Sequence, residues 1–241
     1  MSRPALGSDA PLLDIMSTMR AMRRLSPEPV PDELLTQLVR SATWAPSGSN
    51  AQGYQFVVVT DRERIAALAE LWRVVADFYI AGIARAVPPG STEEQHEKLR
   101  AALRYQRDHF HETPAVIVAC YDSGPYFARL RTQARDIARA TMGLGPSRVL
   151  TMTRLLRRTA EMAEAASIYP SVQNLLLTAR ALGLGATLTT WHLMMEPEFK
   201  KALGIPRRVH TFAIIPVGFP RGRFGPVRRH EPETVIHRDR W

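Results

Sequence analysis

The sequence predicts an α+β fold in which helices flank a small mixed β-sheet. Three short runs rich in β-branched and aromatic residues, at 54–60, 115–121 and 209–217, predict buried strands. Helical patterns separate these runs, and the strands are too few for a full doubly wound sheet. The 241 residues suit one domain, 1–241, with a large insertion.

Four helices are predicted before the second strand. Asp9 as an N-cap and Pro11 in the first turn predict the start of the first helix. Pro31 followed by two acidic residues predicts the start of the second, and Asp61 caps the third. The predicted limits are 9–22, 31–42, 61–85 and 91–109.

Residues 125–165 are predicted to be an insertion between the second strand and the next core helix. They contain two arginine-rich helical stretches around a Gly-Leu-Gly-Pro break at 143–146. Such a break is typical of two short helices around a hinge. The core helix is then predicted to begin near Ser167, to cover 168–182 and to end at Gly183.

The last part of the chain predicts less regular structure. Residues 187–190 predict a short extended segment, and Pro197 predicts the start of a helix that ends at Gly204. The tail, about 218–241, is rich in Gly, Pro and Arg and has no apolar core of its own.

Composition predicts a soluble globular protein, since 45% of the residues are apolar and 23% are charged. No apolar run approaches the roughly 20 residues of a membrane-spanning helix. Residues 1–10 lack the apolar centre of a signal peptide, so we expect a cytoplasmic protein with no membrane partner. The single cysteine, Cys120, excludes a disulfide framework within one chain, and its apolar strand predicts a buried, inert thiol.

The formal net charge of +9 is concentrated in two segments, 125–165 and 207–241, each with eight arginines and three acidic residues. Arginine supplies 29 of the 32 basic residues. No nucleic-acid recognition motif accompanies the charge, so we expect no nucleic-acid partner.

Common catalytic motifs are absent from the sequence. There is no phosphate-binding P-loop, no zinc-protease HExxH and no GxSxG elbow. The seven histidines show no metal-ligand spacing, so we expect no metal site.

Three features stand out instead. Arg20 and Arg23, placed by the prediction at the end of the first helix, suit either the helix dipole or a phosphate. The polar loop 45–52 offers uncharged hydrogen-bonding groups suited to a heteroaromatic ring, or is simply a surface loop. Arg228 and Arg229 follow Gly-Phe-Pro at 218–220.

Taken together, these segments resemble the nitroreductase family of flavoproteins. The resemblance covers about 14–237 apart from 125–165, and it rests on the order of the motifs rather than on one of them. In order they are MRAMRRL at 19–25, APSGSNAQ at 45–52, ASIYPSVQNLLLTARALGLGATLTT at 166–190, GIP at 204–206, VGFP at 217–220, RR at 228–229 and VIHRDRW at 235–241.

The resemblance implies an FMN site and assigns residues to it. Met19 and Ala21 depart from the family's first motif, and Gly53 replaces a commoner proline. Pro46 and Ser47 match a loop that approaches the flavin of a partner subunit. The implied FMN-binding positions are Arg20, Ala21, Arg23, Pro46, Ser47, Asn50, Gln52, Leu188, Thr189, Thr190, Arg228 and Arg229.

The resemblance also implies an activity and an assembly. FMN would carry the chemistry, so no catalytic side chain is expected. NAD(P)H would reduce the flavin, and a nitroaromatic or quinone-like acceptor would reoxidise it in a ping-pong mechanism. The family resemblance implies an intertwined homodimer with FMN at the interface and the tail wrapped around the partner.

Several alternatives stay open at this point. Tyr79 and Tyr105 are candidate substrate contacts, and a role in the core explains them equally well. Relatives within the family include reductive dehalogenases and flavin-fragmenting synthases. A non-catalytic protein that binds flavin, or a partner through the basic 125–165 segment, is the alternative from another class.

Overall fold

The computed structural model describes residue 7 and residues 10–241. Asp9, predicted as the first N-cap, lies outside the described residues. The α-helices are α1 (Leu12–Thr18), α2 (Asp32–Ala42), α3 (Arg62–Ala81), α4 (Glu93–His109), α5 (Gly124–Thr132), α6 (Ala134–Met142), α7 (Pro146–Ala181) and α8 (Glu196–Leu203). The strands are β1 (Tyr54–Val59), β2 (Ala115–Tyr121), β3 (Gly185–Ala186) and β4 (His210–Gly218).

The four strands form one sheet in the order β1-β2-β4-β3, and each neighbouring pair is antiparallel. The fold is therefore α+β, but the prediction of a mixed sheet was wrong. The physical reason lies in the connection between β1 and β2, which contains two helices, α3 and α4. A single helix between two strands carries the chain to the opposite end of the sheet, so that the second strand runs parallel to the first. Two successive helices that run in opposite directions bring the chain back to the same end, so that the second strand runs antiparallel.

The sheet is buried on both faces. All seven residues of β2 are buried, and their side chains alternate between two apolar clusters. Ile117 packs in the cluster that α2 and α7 cover, whereas Val118 packs in the cluster that α3 and α8 cover. The sheet therefore lies between two helical layers.

Helix α7 differs from the prediction. It runs without a break for 36 residues, so the core helix does not begin near Ser167 but continues from the predicted insertion. The segment predicted as an insertion, 125–165, contains α5, α6 and the first half of α7, rather than two short helices around a hinge. Every residue of α6 except the half-buried Thr141 is exposed, whereas Ile168, Val172 and Leu175 farther along α7 are fully buried.

The segment that follows α1 is extended rather than helical. Helix α1 ends at Thr18, four residues before the predicted limit. The backbone N–H of Met22 donates to the carbonyl of Ala186 at 3.1 Å, and Leu25 forms a bridge with Pro220. These bonds to the sheet edge replace the helical ones, so Arg20 and Arg23 do not cap a helix.

Part of the tail packs on its own chain. Phe224 is buried in a small apolar cluster with Met22 and Leu25, and the N–H of Val227 donates to the carbonyl of Ser17 at 2.8 Å. Residues 228–241 are exposed. Within the described chain, no helix combines the length and apolar character that crossing a bilayer requires.

Candidate functional site

A large cavity of about 960 Å³ brings together the two arginine pairs singled out in the sequence. The extended segment after α1 contributes Arg20 and Arg23, and the tail contributes Arg228 and Arg229. The two segments meet because the tail packs back along residues 17–25. The remaining lining residues are Ala21, Gly90, Ser91, Gln95, Lys98, Leu99, Ala102, Pro226, Val227 and His230.

The electrostatic character of this cavity is strongly positive. Among the residues that the structure describes, no acidic side chain lies within ion-pair distance of these four arginines. Lys98 is paired with Glu94, 2.6 Å away, and Arg229 donates to the carbonyl of Arg228 at 2.7 Å. Unpaired guanidinium groups around a concave surface favour a phosphate or another anion.

Arg23 connects this cavity to a smaller one. Burial lowers the pKa of the Arg23 guanidinium, although the nearby Tyr79 acts in the opposite direction. Its Nε atom is buried and has no hydrogen-bond partner in the part of the chain that the structure describes. A buried donor without an acceptor is costly, so the site fits a ligand that carries acceptor atoms.

The smaller cavity, of about 180 Å³, contains the second group of predicted positions. Leu188, Thr189 and Thr190 line it, and two backbone hydrogen bonds of 3.0 and 2.9 Å join Thr189 to Ile214 of β4. Tyr79 also lines it and contacts the ring of Trp191 edge-on. The other lining residues are Arg23, Trp72, Ala76, Ile80, Leu99, Leu103, Gln106 and Thr187.

Tyr105 lies next to this cavity rather than in it. It lines a small void of about 10 Å³ with Arg23 and Gln106. Its ring is stacked on His109 with 4.0 Å between the ring centroids, and Arg24 lies over it at 5.1 Å. Both alternatives for Tyr105, substrate contact and packing, are compatible with this position.

The predicted loop residues lie elsewhere on the chain. Pro46, Ser47, Asn50 and Gln52 line none of the three cavities described above. Asn50 and Gln52 have φ values of +50° and +49°, which are strained for residues with a side chain. The hydroxyl of Ser47 accepts the N–H of Gln52 at 3.0 Å and holds the loop in this shape.

The loop is also attached to α7. The backbone N–H of Gly48 donates to the hydroxyl of Ser167 at 3.1 Å. The residues before and after Gly48 therefore have a fixed position on an exposed surface, away from the cavities of the same chain. A single chain does not bring all the predicted FMN positions together.

Sequence reasoning missed several lining residues. Trp72 and Gln106 lie on α3 and α4, where the helical pattern explains an apolar or buried position without indicating a cavity. Lys98, Gln95 and Ser91 lie in or just before the first turns of α4. The sequence signal that could have indicated Lys98 was its rarity, since the chain has three lysines and 29 arginines. Among residues 10–241, no group of three His, Cys, Asp or Glu side chains could hold a metal ion.

Comparison with known proteins gives a consistent result. The family model described as "Nitroreductase family" matches residues 17–219. Iodotyrosine deiodinase of Danio rerio is 26% identical over 209 residues, which are 86% of this chain and 59% of that protein. This chain thus spans about three fifths of the length of that relative. NADH dehydrogenase of Thermus thermophilus is 27% identical over 237 residues, 94% of this chain and 96% of that protein.

Among solved structures, oxidised iodotyrosine deiodinase bound to FMN and 3-iodo-L-tyrosine superimposes with a TM-score of 0.64. The match covers 96% of this chain and 100% of that chain at 20% identity, so it shows a shared fold.

Proposed function

The chain belongs to the nitroreductase family, and from this premise we propose that it is an FMN-dependent oxidoreductase that uses NAD(P)H to reduce a nitroaromatic or quinone-like acceptor. The observation that carries the proposal is the large cavity of about 960 Å³, lined by Arg20, Arg23, Arg228 and Arg229. Arg20 and Arg23 lie near the start of the family match, whereas Arg228 and Arg229 follow its end at residue 219. The positive charge of these four side chains, which no acidic side chain of the described residues pairs, suits a phosphate ester.

Each group of residues has a defined part in this proposal. Arg20, Arg23 and Arg229 would hold the phosphate through charge-assisted hydrogen bonds. Leu188, Thr189 and Ala21 would lie against the remainder of the cofactor. When bound, FMN supplies hydride and electron transfer, so the protein's contribution is orientation and electrostatics.

A homodimer completes this proposed site. Pro46, Ser47, Asn50 and Gln52 would reach the FMN of the partner subunit, and the exposed tail after His230 would lie on that subunit. The support is that this loop is exposed, strained and fixed to α7, and that it lies away from its own chain's cavities. Sedimentation equilibrium should give twice 27.0 kDa for the FMN-loaded protein, and a stable FMN-loaded monomer contradicts the dimer.

A second candidate is reductive dehalogenation of a halogenated aromatic compound. It is favoured by the match to iodotyrosine deiodinase in both sequence and fold. Helix α4, which lines both main cavities, would then cover the substrate. Both candidates use reduced FMN as the electron donor. They differ in the acceptor, which is a halogenated aromatic compound in the second candidate.

One set of measurements tests both candidates. The purified protein should show a flavin absorption spectrum and should release FMN on denaturation. Under anaerobic conditions, NADPH or NADH should bleach the flavin, and a nitroaromatic or quinone should restore the colour. If the protein neither contains nor binds FMN, the proposal fails. If only a halogenated phenol restores the colour, with release of halide, the second candidate replaces the first.

A further inference from the structure

Residues 134–163, which comprise α6, a short turn and the first half of α7, contain no buried residue. Every residue from 150 to 159 is exposed, and these residues make about three turns of helix. No face of this stretch therefore packs against the rest of the chain. The buried residues of α7 begin at Glu164, so the exposed half of this helix is about 27 Å long at its rise of about 1.5 Å per residue.

The exposed half of α7 has an apolar side and a basic side. Its apolar stripe consists of residues spaced three or four apart, namely Val149, Met152, Leu156, Ala160 and Ala163. Met152 and Leu156 are 58% and 66% exposed, so the stripe presents large apolar side chains to the surroundings. Arg154 and Arg158 lie on the opposite side of the helix, while Arg148 and Arg157 flank the stripe.

Helix α6 has the same division into two sides. Its apolar side also follows a spacing of three or four, with Ala134, Ile137, Ala138 and Thr141. Arg135 and Arg139 lie on the other side. A groove of about 560 Å³ at the junction of the two helices is lined by both Thr141 and Val149. The apolar surface is therefore continuous from α6 to α7.

The charge of segment 134–163 identifies the kind of surface that complements it. The segment contains six arginines, two acidic residues and no lysine. A second copy of the segment would bring like charges together, which opposes association. Nucleic acid would leave the apolar stripe unmatched, and the segment has no aromatic side chain on which a base could stack. An anionic lipid bilayer matches both features, because apolar side chains enter it while arginines reach the headgroup phosphates.

We propose that segment 134–163 docks on the surface of an anionic lipid bilayer. Its apolar stripe, with Met152 and Leu156, enters the headgroup region. Arg148 and Arg157, at the edges of the stripe, bind the lipid phosphates. A segment that lies on a bilayer needs neither an apolar run of about 20 residues nor a signal peptide, on which the expectation of no membrane partner was based. This inference goes beyond the proposed function and does not depend on the acceptor.

Co-sedimentation of the full chain with lipid vesicles tests the proposal. One set of vesicles contains phosphatidylcholine alone, and the other contains about 30% phosphatidylglycerol, an anionic lipid. At about 0.1 M salt we expect at least about 10-fold tighter binding to the anionic vesicles, because several arginines then lie near a negative surface. Most of this preference should be lost at about 0.5 M salt. Equal binding to both sets, or binding to neither, overturns the proposal.

Substitutions in the apolar stripe assign the binding to this segment. Met152→Ser combined with Leu156→Ser should weaken binding to the anionic vesicles at least about 10-fold, because two apolar side chains no longer leave water. Val74→Ser combined with Phe78→Ser is the matched control, since it removes two exposed apolar side chains from α3. An equal effect of both double variants overturns the assignment to the segment.

The flanking arginines are tested in the same way. Arg148→Gln combined with Arg157→Gln should weaken binding to the anionic vesicles at least about 10-fold. The ion pair of Arg157 with Glu161 is exposed and therefore weak, so it leaves the guanidinium free to exchange partners. Arg40→Gln combined with Arg207→Gln lowers the net charge by the same amount at exposed positions outside the segment. This control should bind almost as the wild type does, and equal loss in both variants contradicts a specific surface.

A fluorescent dye shows which side of the helix meets the lipid. Cys120 is fully buried, so a thiol-reactive dye should label only an introduced cysteine. The dye NBD attached to Leu156→Cys should brighten and shift to shorter wavelength on anionic vesicles, because its surroundings lose water. Attached to Thr151→Cys, about 140° around the helix, it should change little. An equal response at the two positions, or none at either, overturns docking through the stripe.

Two further outcomes would assign the segment to another partner and overturn the proposal. One is binding of a DNA duplex that competes with the anionic vesicles and is lost in Arg148→Gln combined with Arg157→Gln. The other is dissociation of a wild-type dimer into monomers by Met152→Ser combined with Leu156→Ser, measured by sedimentation equilibrium. A separate FMN titration tests the proposed function, and its failure leaves the vesicle measurements valid.

Discussion

The Nε2 atom of His192 lies 3.1 Å from Oγ1 of Thr211. The Thr211 hydroxyl donates its hydrogen to Glu196 at 2.8 Å, so it accepts from His192, which fixes the imidazole proton on Nε2. His192 is fully buried and follows Trp191, a residue of the smaller cavity. This network holds the turn that follows residues 188–190 against β4.

The His192 network predicts a loss of stability in acid. Burial lowers the pKa of His192 to about 4 from 6.5, although Glu196 acts to raise it. In the unfolded chain His192 gains a proton below pH 6.5, whereas in the folded chain it stays neutral to about pH 4. The titration of His192 therefore leaves the free energy of unfolding unchanged above pH 6.5. It lowers this free energy by about 3 kcal/mol as the pH falls from 6.5 to 4.

Urea unfolding at fixed concentrations of protein and FMN measures this effect between pH 7 and pH 4.5. His192→Gln should be less stable at pH 7 and should lose less stability on acidification than the wild type. His237→Gln is the control, because His237 is exposed in the tail. Equal pH dependence in all three proteins would show that His192 does not titrate as its burial requires.

Removing one arginine of the proposed phosphate site should weaken FMN binding. A charge-assisted hydrogen bond contributes roughly 1.5–3 kcal/mol, so Arg20→Ala and Arg229→Ala should each raise the FMN dissociation constant about 10- to 100-fold. Quenching of FMN fluorescence on titration with apoprotein measures this constant. Arg238→Ala, which changes an exposed tail arginine outside the cavity, should bind FMN normally. Wild-type affinity in both cavity variants would place the phosphate elsewhere.

The strands were predictable from sequence because a strand that is buried on both faces appears as an uninterrupted run of apolar residues. The predicted limits 115–121 coincide with β2, where every residue is buried and none interrupts the apolar run. The direction of the strands was not predictable in the same way. It depends on how α3 and α4 pack against each other, and this is a property of the tertiary fold.

Helix α7 shows a second limit of prediction. The Gly-Leu-Gly-Pro break at 143–146 was correctly placed before a helix, since Pro146 is the first residue of α7. The change from exposed to buried near Ser167 was mistaken for a helix boundary. The apolar pattern of a helix indicates which of its residues are buried against other elements. It does not indicate where the helix begins, because a helix extends as long as its backbone hydrogen bonds can form.

Part of the candidate site was predictable, because the order of the motifs along the sequence indicated the family and the family indicated site residues. The arginine pairs at 20–23 and 228–229 were assigned through the family resemblance, and one cavity includes both. Trp72 and Gln106 had no comparable signal, because a buried polar residue on an amphipathic helix has many explanations. Their relation to the cavity appears only when α3 and α4 are placed side by side.

Cys120 should be inert in the folded protein. Its thiol is fully buried in β2, and burial raises its pKa to about 12. The reactive thiolate is therefore scarce and out of reach of reagents at pH 8. Ellman's reagent should label no thiol in the native protein and one thiol per chain in denaturant. Rapid stoichiometric labelling of the native protein would contradict the buried position.

The segment 125–165, predicted to be an insertion, should influence substrate choice through its charge. Arg154, Arg157 and Arg158 lie on the exposed first half of α7, and Arg157 pairs with the neighbouring Glu161 at 2.9 Å. We expect their joint replacement by Gln to raise the KM for NADPH about 3- to 10-fold at low salt, because a positive surface steers anions. The difference should disappear at about 0.5 M salt, where screening is strong.

Deletion of residues 126–163, joined by a short Gly-Ser linker, separates steering by charge from a role in assembly. The deletion leaves Glu164, whose carboxylate lies 2.6 Å from Nδ1 of His210 and anchors the remaining helix to β4. If the insertion covers the site, the dimer keeps FMN, the KM for anionic substrates rises and its salt dependence is lost, while a neutral quinone reacts as before. If the segment is instead an arm that joins the subunits, the deletion yields monomers. The Gln variants then show unchanged kinetics, because their positions lie away from the path of the substrate.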